Sequence, residues 1–148
     1  ATFLGSSEEL ASLSGSLRDA MEGRIDARNR PRIDLTVNEQ SISCFIDTGF
    51  NGFLWIDDRT ARRLGLYQHS RMYESELADG RPASFKIGVG KVSWIEGKKD
   101  IPIHVFQGER QSEADALLGT RMLLGYVVLL DFNWGLVSIR TPNAGDEP

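Results

Sequence analysis

The sequence has only one cysteine and two histidines among its 148 residues. The single cysteine, Cys44, excludes an intramolecular disulfide, so the fold does not depend on oxidation. His69 and His104 do not stand in a spacing typical of metal ligands, so we expect neither a metal site nor a cofactor. No apolar run is long enough to cross a membrane. These absences point to a globular domain that is stabilised by its own core.

The chain also lacks an excess of positive charge. Its net charge is −4, with 41% hydrophobic and 26% charged residues. We therefore expect no nucleic acid as partner and no association with an anionic membrane. A local run of arginines alternates with acidic residues and is expected to form a solvated face (Arg24, Arg28, Arg30 and Arg32 among Glu22, Asp26 and Asp34).

No signal peptide is visible, and the sequence starts at Ala1 rather than at a methionine. We expect a cytoplasmic or periplasmic location. Anchoring through a segment upstream of Ala1 stays open as an alternative.

The most informative motif is Asp47-Thr48-Gly49, which directly follows an apolar stretch that ends at Ile46. Aspartate is a poor strand residue and is costly to bury, so a carboxylate at this point needs hydrogen-bond partners. The Thr48 hydroxyl can donate and accept, and Gly49 allows another backbone to approach closely. The alternative is an aspartate that starts an ordinary turn, since a tripeptide alone is weak evidence.

The chain divides into three parts by its patterning. Residues 1–22 predict a short amphipathic helix or linker, with Ser6 as a possible N-cap and leucines at helical spacing. Residues 23–141 predict a β domain, and residues 142–148 predict a disordered tail.

Within the β domain, apolar and polar residues alternate with period two in many short runs. Asp79-Gly80 between the extended runs 72–78 and 82–92 predicts a hairpin. Asp57 or Asp58 predicts the start of a short helix, and residues 98–100 predict a turn. The fold class is therefore all-β: a small closed barrel with a projecting hairpin and one or two short helices.

Three motifs, in this order, make residues 24–140 resemble the retropepsins, the retroviral-type aspartic proteases, and especially their bacterial branch. The first is Ile46-Asp47-Thr48-Gly49. The second is the Asp79-Gly80 hairpin, at the place of the family's flap. The third is Leu117-Leu118-Gly119, which is followed by a helical turn. The resemblance implies a single-lobe acid-protease barrel.

The resemblance also implies how the site works. Aspartic protease chemistry needs two carboxylates that share one proton, and this chain has one Asp-Thr-Gly. Two chains would each supply Asp47 across a two-fold axis, as a homodimer acting on a peptide or protein substrate. Thr48 and Gly49 would support the carboxylates. Substrate binding would fall to residues after the triplet, at the flap tip and beside the third motif (Phe50, Asn51, Asp79, Gly80 and Leu118).

The sequence departs from the viral pattern at three places. Phe50 stands where the viral enzymes usually have alanine, and its ring is expected to fill part of a substrate pocket. Thr120 stands where they place an arginine that braces the catalytic loop. The hairpin tip around Asp79-Gly80 is polar, which predicts a lid of different shape or stiffness.

Three functions remain open at this point. The leading hypothesis is an aspartic endopeptidase. The alternatives are a catalytically silent binding or dimerisation module that keeps the fold, and a dormant protease whose site assembles on association or processing. Asp131 is expected to be structural, and Gly88-Val89-Gly90-Lys91 lacks the spacing of a phosphate-binding loop.

Overall fold

The computed structural model describes residues 2–4, 20–76, 79–108 and 113–142. Twelve strands and two short helices are found within these ranges. The strands are β1 (Thr2–Leu4), β2 (Ala20–Ile25), β3 (Pro31–Val37), β4 (Gln40–Ile46), β5 (Leu54–Asp57), β6 (Tyr67–Gln68), β7 (Tyr73–Glu76), β8 (Pro82–Trp94), β9 (Gly97–Phe106), β10 (Ala116–Leu118), β11 (Val127–Asp131) and β12 (Leu136–Arg140). The helices are α1 (Asp58–Arg63) and α2 (Thr120–Leu123).

Six of the strands form a closed barrel, which confirms the predicted fold class. The order around the ring is β3–β4–β10–β5–β9–β8, and β8 returns to β3. The closing contact pairs Thr36 with Ser93 and Val37 with Val92. Closure leaves no free edge along this ring, which is how a small β domain satisfies its backbone hydrogen bonds.

A second group of strands extends the sheet from β3. It runs β3–β2–β12–β11–β1, with β1 parallel to β11. Thr2–Leu4 and Ala20–Glu22 are therefore strands, although residues 1–22 predicted a helix or linker. The amphipathic pattern within residues 6–17 lies outside the described residues, as do residues 143–148 of the predicted tail.

The barrel interior is filled by alternate residues of its strands. Cys44 is completely buried and belongs to this core. On β8, no side chain would fit at Gly90, because a Cβ there would come within 2.7 Å of Ile103 and 3.1 Å of Val37. Glycine thus leaves room for the side chains that cross a narrow barrel.

The predicted turn at residues 98–100 is wrong, because those residues belong to β9. The chain reverses earlier, at residues 95–96, where Trp94 pairs with Gly97. Gly97 has φ +120°, so glycine suits the tight two-residue connection there. The β8–β9 hairpin therefore includes Lys98 and Lys99 as strand residues, which pair with Ser93 and Val92.

The arginine run packs against the domain more closely than a solvated face implies. The guanidinium groups of Arg30 and Arg32 lie 4.5 and 4.9 Å from the centre of the Phe45 ring. Arg30 also bonds Asp26 at 2.8 Å and Glu113 at 2.7 Å. These contacts tie the β2–β3 turn to the segment that leads into β10.

Candidate active site

Asp47 lies directly after β4, where the strand leaves the barrel. Its backbone N–H donates to the carbonyl of Leu118 at 2.9 Å. Its carboxylate Oδ1 accepts the backbone N–H of Gly49 at 2.9 Å, and its own carbonyl accepts the N–H of Phe50 at 3.2 Å. The Asp-Thr-Gly turn therefore holds the half-buried carboxylate in one orientation.

The loop after Asp47 is braced by the start of α2. The backbone N–H of Gly119 donates to the carbonyl of Phe53 at 2.9 Å, and that of Arg121 to the carbonyl of Gly52 at 3.1 Å. Thr120 donates to the Phe50 carbonyl. These bonds arise because β10 lies parallel to β4, which brings the first and third sequence motifs side by side.

Gly119 is required by the close approach of this loop. A Cβ at Gly119 would clash with the Gly52 carbonyl and come within 2.7 Å of the Phe50 carbonyl. Backbone atoms cannot move aside as a flexible side chain can. Glycine is therefore needed at this position of the third motif, because the loop after Asp47 packs directly against it.

The ring of Phe50 occupies the notch left by two glycines. A Cβ at Gly52 would come within 2.5 Å of this ring, and one at Gly119 within 2.6 Å. The ring also makes edge contacts with His104 and Trp55, with centroids 5.2 and 6.0 Å apart. Phe50 is thus a packed wall of the site.

A cleft of about 730 Å³ opens beside Asp47. Its walls come from the loop after Asp47, from the outward-facing side chains of the barrel strands and from the hairpin strand β7 (Asp47, Gly49, Phe50, Asn51, Gly52, Phe53, Trp55, Ser75, Glu76, Phe85, Pro102, His104, Leu117 and Arg121). The hairpin and the carboxylate therefore border one open space.

The predicted hairpin is formed by β7 and β8, which pair from Tyr73 with Phe85 to Glu76 with Pro82. At its tip the backbone N–H of Arg81 donates to Asp79 Oδ1 at 3.0 Å, and the guanidinium bonds Oδ2 at 2.6 Å. The backbone bond is the main cause that lowers the pKa of Asp79. Gly80 takes φ +84° and is exposed. The tip is polar, as its sequence predicts.

The predicted site residues fall into different places. Asp47, Gly49, Phe50 and Asn51 line the cleft, whereas Thr48 is exposed on the turn. Asp79 and Gly80 lie at the exposed hairpin tip and do not line the cleft as it stands.

Leu118, expected to contact substrate, is completely buried in the barrel, and Leu117 lines the cleft instead. Strand alternation explains the difference: Ala116 and Leu118 point into the barrel, so Leu117 points outwards into the cleft. Asp131 is structural, as expected: its buried carboxylate accepts the backbone N–H groups of Asn133 and Trp134 at 3.0 Å.

Several cleft residues were missed by sequence reasoning, notably Trp55, Phe85, His104, Glu76 and Arg121. Trp55 faces outwards because its neighbours Leu54 and Ile56 are buried, but β5 is apolar on both sides, so its residues alone did not indicate which face is the inner one. Burial lowers the pKa of His104, because the charged ring would lose its hydration.

The described residues contain no group of three or more His, Cys, Asp or Glu side chains that could hold a metal ion. Within the same ranges, no helix has the length and apolar character needed to cross a membrane.

Together, the closed barrel, the hairpin and the aspartate at the strand end define a retropepsin-like fold. The structure is similar to that of a retropepsin-like aspartic protease from Rickettsia conorii, with a TM-score of 0.55 and 18% identity over 82% of this chain and 91% of that one. It is also similar to EIAV protease in complex with an inhibitor, with a TM-score of 0.50 and 16% identity over 66% of this chain and 88% of that one. No protein-family model and no curated protein matches the sequence.

Proposed function

We propose that this protein is an aspartic endopeptidase of the retropepsin family, and that two copies of Asp47 form its catalytic pair. The main support for this proposal is the position of Asp47. Its carboxylate is oriented by a bond from Gly49 and borders an open cleft beside a hairpin. The fold similarity to two aspartic proteases supports the proposal.

The dimer follows from the chemistry. One carboxylate cannot both take a proton from water and donate a proton to the scissile carbonyl. The chain has one Asp-Thr-Gly, so a second copy has to bring the second carboxylate. The site is incomplete in a single chain, which makes assembly a condition of activity.

In the proposed reaction, the ionised Asp47 takes a proton from a water molecule, whose oxygen attacks the peptide carbonyl carbon. The protonated Asp47 of the other copy donates its proton to the carbonyl oxygen. The tetrahedral intermediate then breaks its C–N bond: the carboxyl group formed in the first step protonates the leaving nitrogen, and a hydroxyl of the intermediate gives its proton to the other carboxylate. The products are a free carboxyl group and a free amine, and the pair again holds one proton.

The test compares the wild-type chain with Asp47→Asn on a mixture of peptides in mildly acidic solution, between about pH 4 and 6. Sedimentation is measured on the same samples. Asp100→Asn, an exposed aspartate on β9, is the matched control and should cleave like the wild type.

We expect cleavage by the wild type and the control, no cleavage by Asp47→Asn, and a dimer in all three. Cleavage that survives Asp47→Asn would exclude the carboxylate pair. Cleavage by a strict monomer would exclude the shared site. A stable dimer that neither cleaves peptides nor binds a statine-type inhibitor would instead indicate a non-catalytic dimerisation module.

A further inference from the structure

Four aromatic side chains form one wall of the cleft: Phe50, Trp55, Phe85 and His104. We call them the aromatic wall. Trp55 and His104 are direct partners in the β5–β9 register, and their rings stack 6.0 Å apart at 25°. Phe85 lies 4.9 Å from His104 at 36°, and Phe50 meets His104 edge-on at 89°. His104 and Trp55 each contact all three of the other rings.

The wall faces the cleft. Each of its four members is partly buried, and all four line the cleft that contains Asp47. Beside it, Phe106 stacks on Trp55 at 5.8 Å and Tyr73 on Phe85 at 5.4 Å. These neighbouring rings restrict the orientations of Trp55 and Phe85 within the wall.

His104 contributes to this wall as a neutral ring. Its Nδ1 is buried and has no hydrogen-bond partner among the residues that the structure describes. In the charged form both ring nitrogens are donors, so a buried N–H would be left without an acceptor. The charged groups that share the cleft are Asp47, Glu76 and Arg121, and none of them bonds this nitrogen.

We propose that the aromatic wall is a specificity subsite that selects an aromatic side chain of the peptide over an aliphatic one of similar size, and that His104 is one of the residues that determine this selection. The inference rests on the proposed function and deepens it by naming a substrate class. Aromatic rings attract one another through face-to-edge and offset contacts that a saturated ring cannot make. The expected preference is about 3- to 10-fold.

The probes are two statine-containing peptides that differ at one side chain beside the statine, phenylalanine in one and cyclohexylalanine in the other. The two rings have similar size and apolar area, so only aromatic character differs. Their affinities are measured by calorimetry on the wild type, His104→Phe, His104→Leu and the control Tyr67→Leu. Tyr67 is an aromatic residue on β6 that does not line the cleft and is 69% exposed. Thermal melting of each variant shows that it is folded.

We expect the phenylalanine peptide to bind more tightly to the wild type, to His104→Phe and to Tyr67→Leu, and the preference to be smaller in His104→Leu. Equal binding of both peptides to the wild type would overturn the proposal, and so would a preference of unchanged size in His104→Leu. These outcomes are independent of catalysis, because statine peptides are not cleaved. Absence of cleavage in the Asp47 experiment therefore bears on the proposed function alone.

Discussion

Thr120 donates twice to the same carbonyl oxygen, that of Phe50. Its backbone N–H reaches this oxygen at 2.9 Å and its hydroxyl at 3.3 Å. The viral pattern predicted an arginine here as the brace of the catalytic loop. This chain obtains the brace from backbone groups at the start of α2, while the guanidinium of Arg121 lies 5.9 Å over the Phe53 ring.

The hydroxyl part of this brace can be removed separately. Thr120→Val keeps the backbone N–H and the shape of the side chain but loses the hydroxyl bond, so we expect a loss of about 1 kcal/mol in the free energy of unfolding. Thr120→Ser, the control, keeps the hydroxyl and should lose less. Denaturant unfolding of the three proteins measures the difference. A Thr120→Val protein as stable as the wild type would show that the N–H bond alone supports the loop.

Gly119 gives a sharper test of the same loop. In Gly119→Ala the new Cβ meets the carbonyls of Gly52 and Phe50, so we expect destabilisation by about 3 kcal/mol, in the upper range for overpacking, and loss of peptide cleavage. The control is Gly65→Ala, where φ is +67° and no atom lies within 4 Å. It adds only left-handed backbone strain, about 1–2 kcal/mol, far from the cleft.

Thermal or denaturant unfolding gives the stabilities, and a peptide assay gives the activities. If Gly119→Ala is no more destabilising than Gly65→Ala, the close approach of the loop to α2 is not a constraint on the fold.

His104 makes stability depend on pH in a defined direction. Burial lowers the pKa of His104 in the folded chain below its ordinary value of 6.5. Between the two pKa values the unfolded chain binds more protons, so the free energy of unfolding falls as the pH falls below about 6.5 and levels off once the folded ring is protonated. In His104→Phe this component is absent. The fall in stability should therefore be smaller in the variant than in the wild type.

Proton NMR of the imidazole signals measures the pKa directly. The His104 signal is assigned by its loss in His104→Phe and its retention in His69→Phe. A midpoint at or above 6.5 would show that the ring is hydrated. It would contradict the inference that His104 is neutral in the aromatic wall.

Several parts of the fold and site were accessible from sequence because they depend on local chemistry. An aspartate and a glycine after an apolar strand predicted the turn at Asp47. Asp79-Gly80 predicted the hairpin. In each case one residue type tolerates a conformation or a contact that others do not, so its position is informative without knowledge of its neighbours.

The face of each strand was not accessible in the same way. β10 reads Ala116-Leu117-Leu118 and β5 begins Leu54-Trp55-Ile56, so both strands are apolar on both sides. Alternation shows that neighbours in such a strand point in opposite directions, but it does not show which direction is the barrel interior. For this reason Leu118 was expected in the cleft where Leu117 lies.

The residues alone thus predicted an all-β domain with an aspartate at one strand end. Tertiary structure decided what surrounds that carboxylate. Trp55 and His104 are 49 positions apart in the chain, and only the parallel register of β5 with β9 makes them neighbours. Strand register is set by the closure of the whole barrel, since every strand must keep its apolar set inside. The composition of the cleft wall is therefore a property of the closed barrel, whereas the position of Asp47 follows from its own turn.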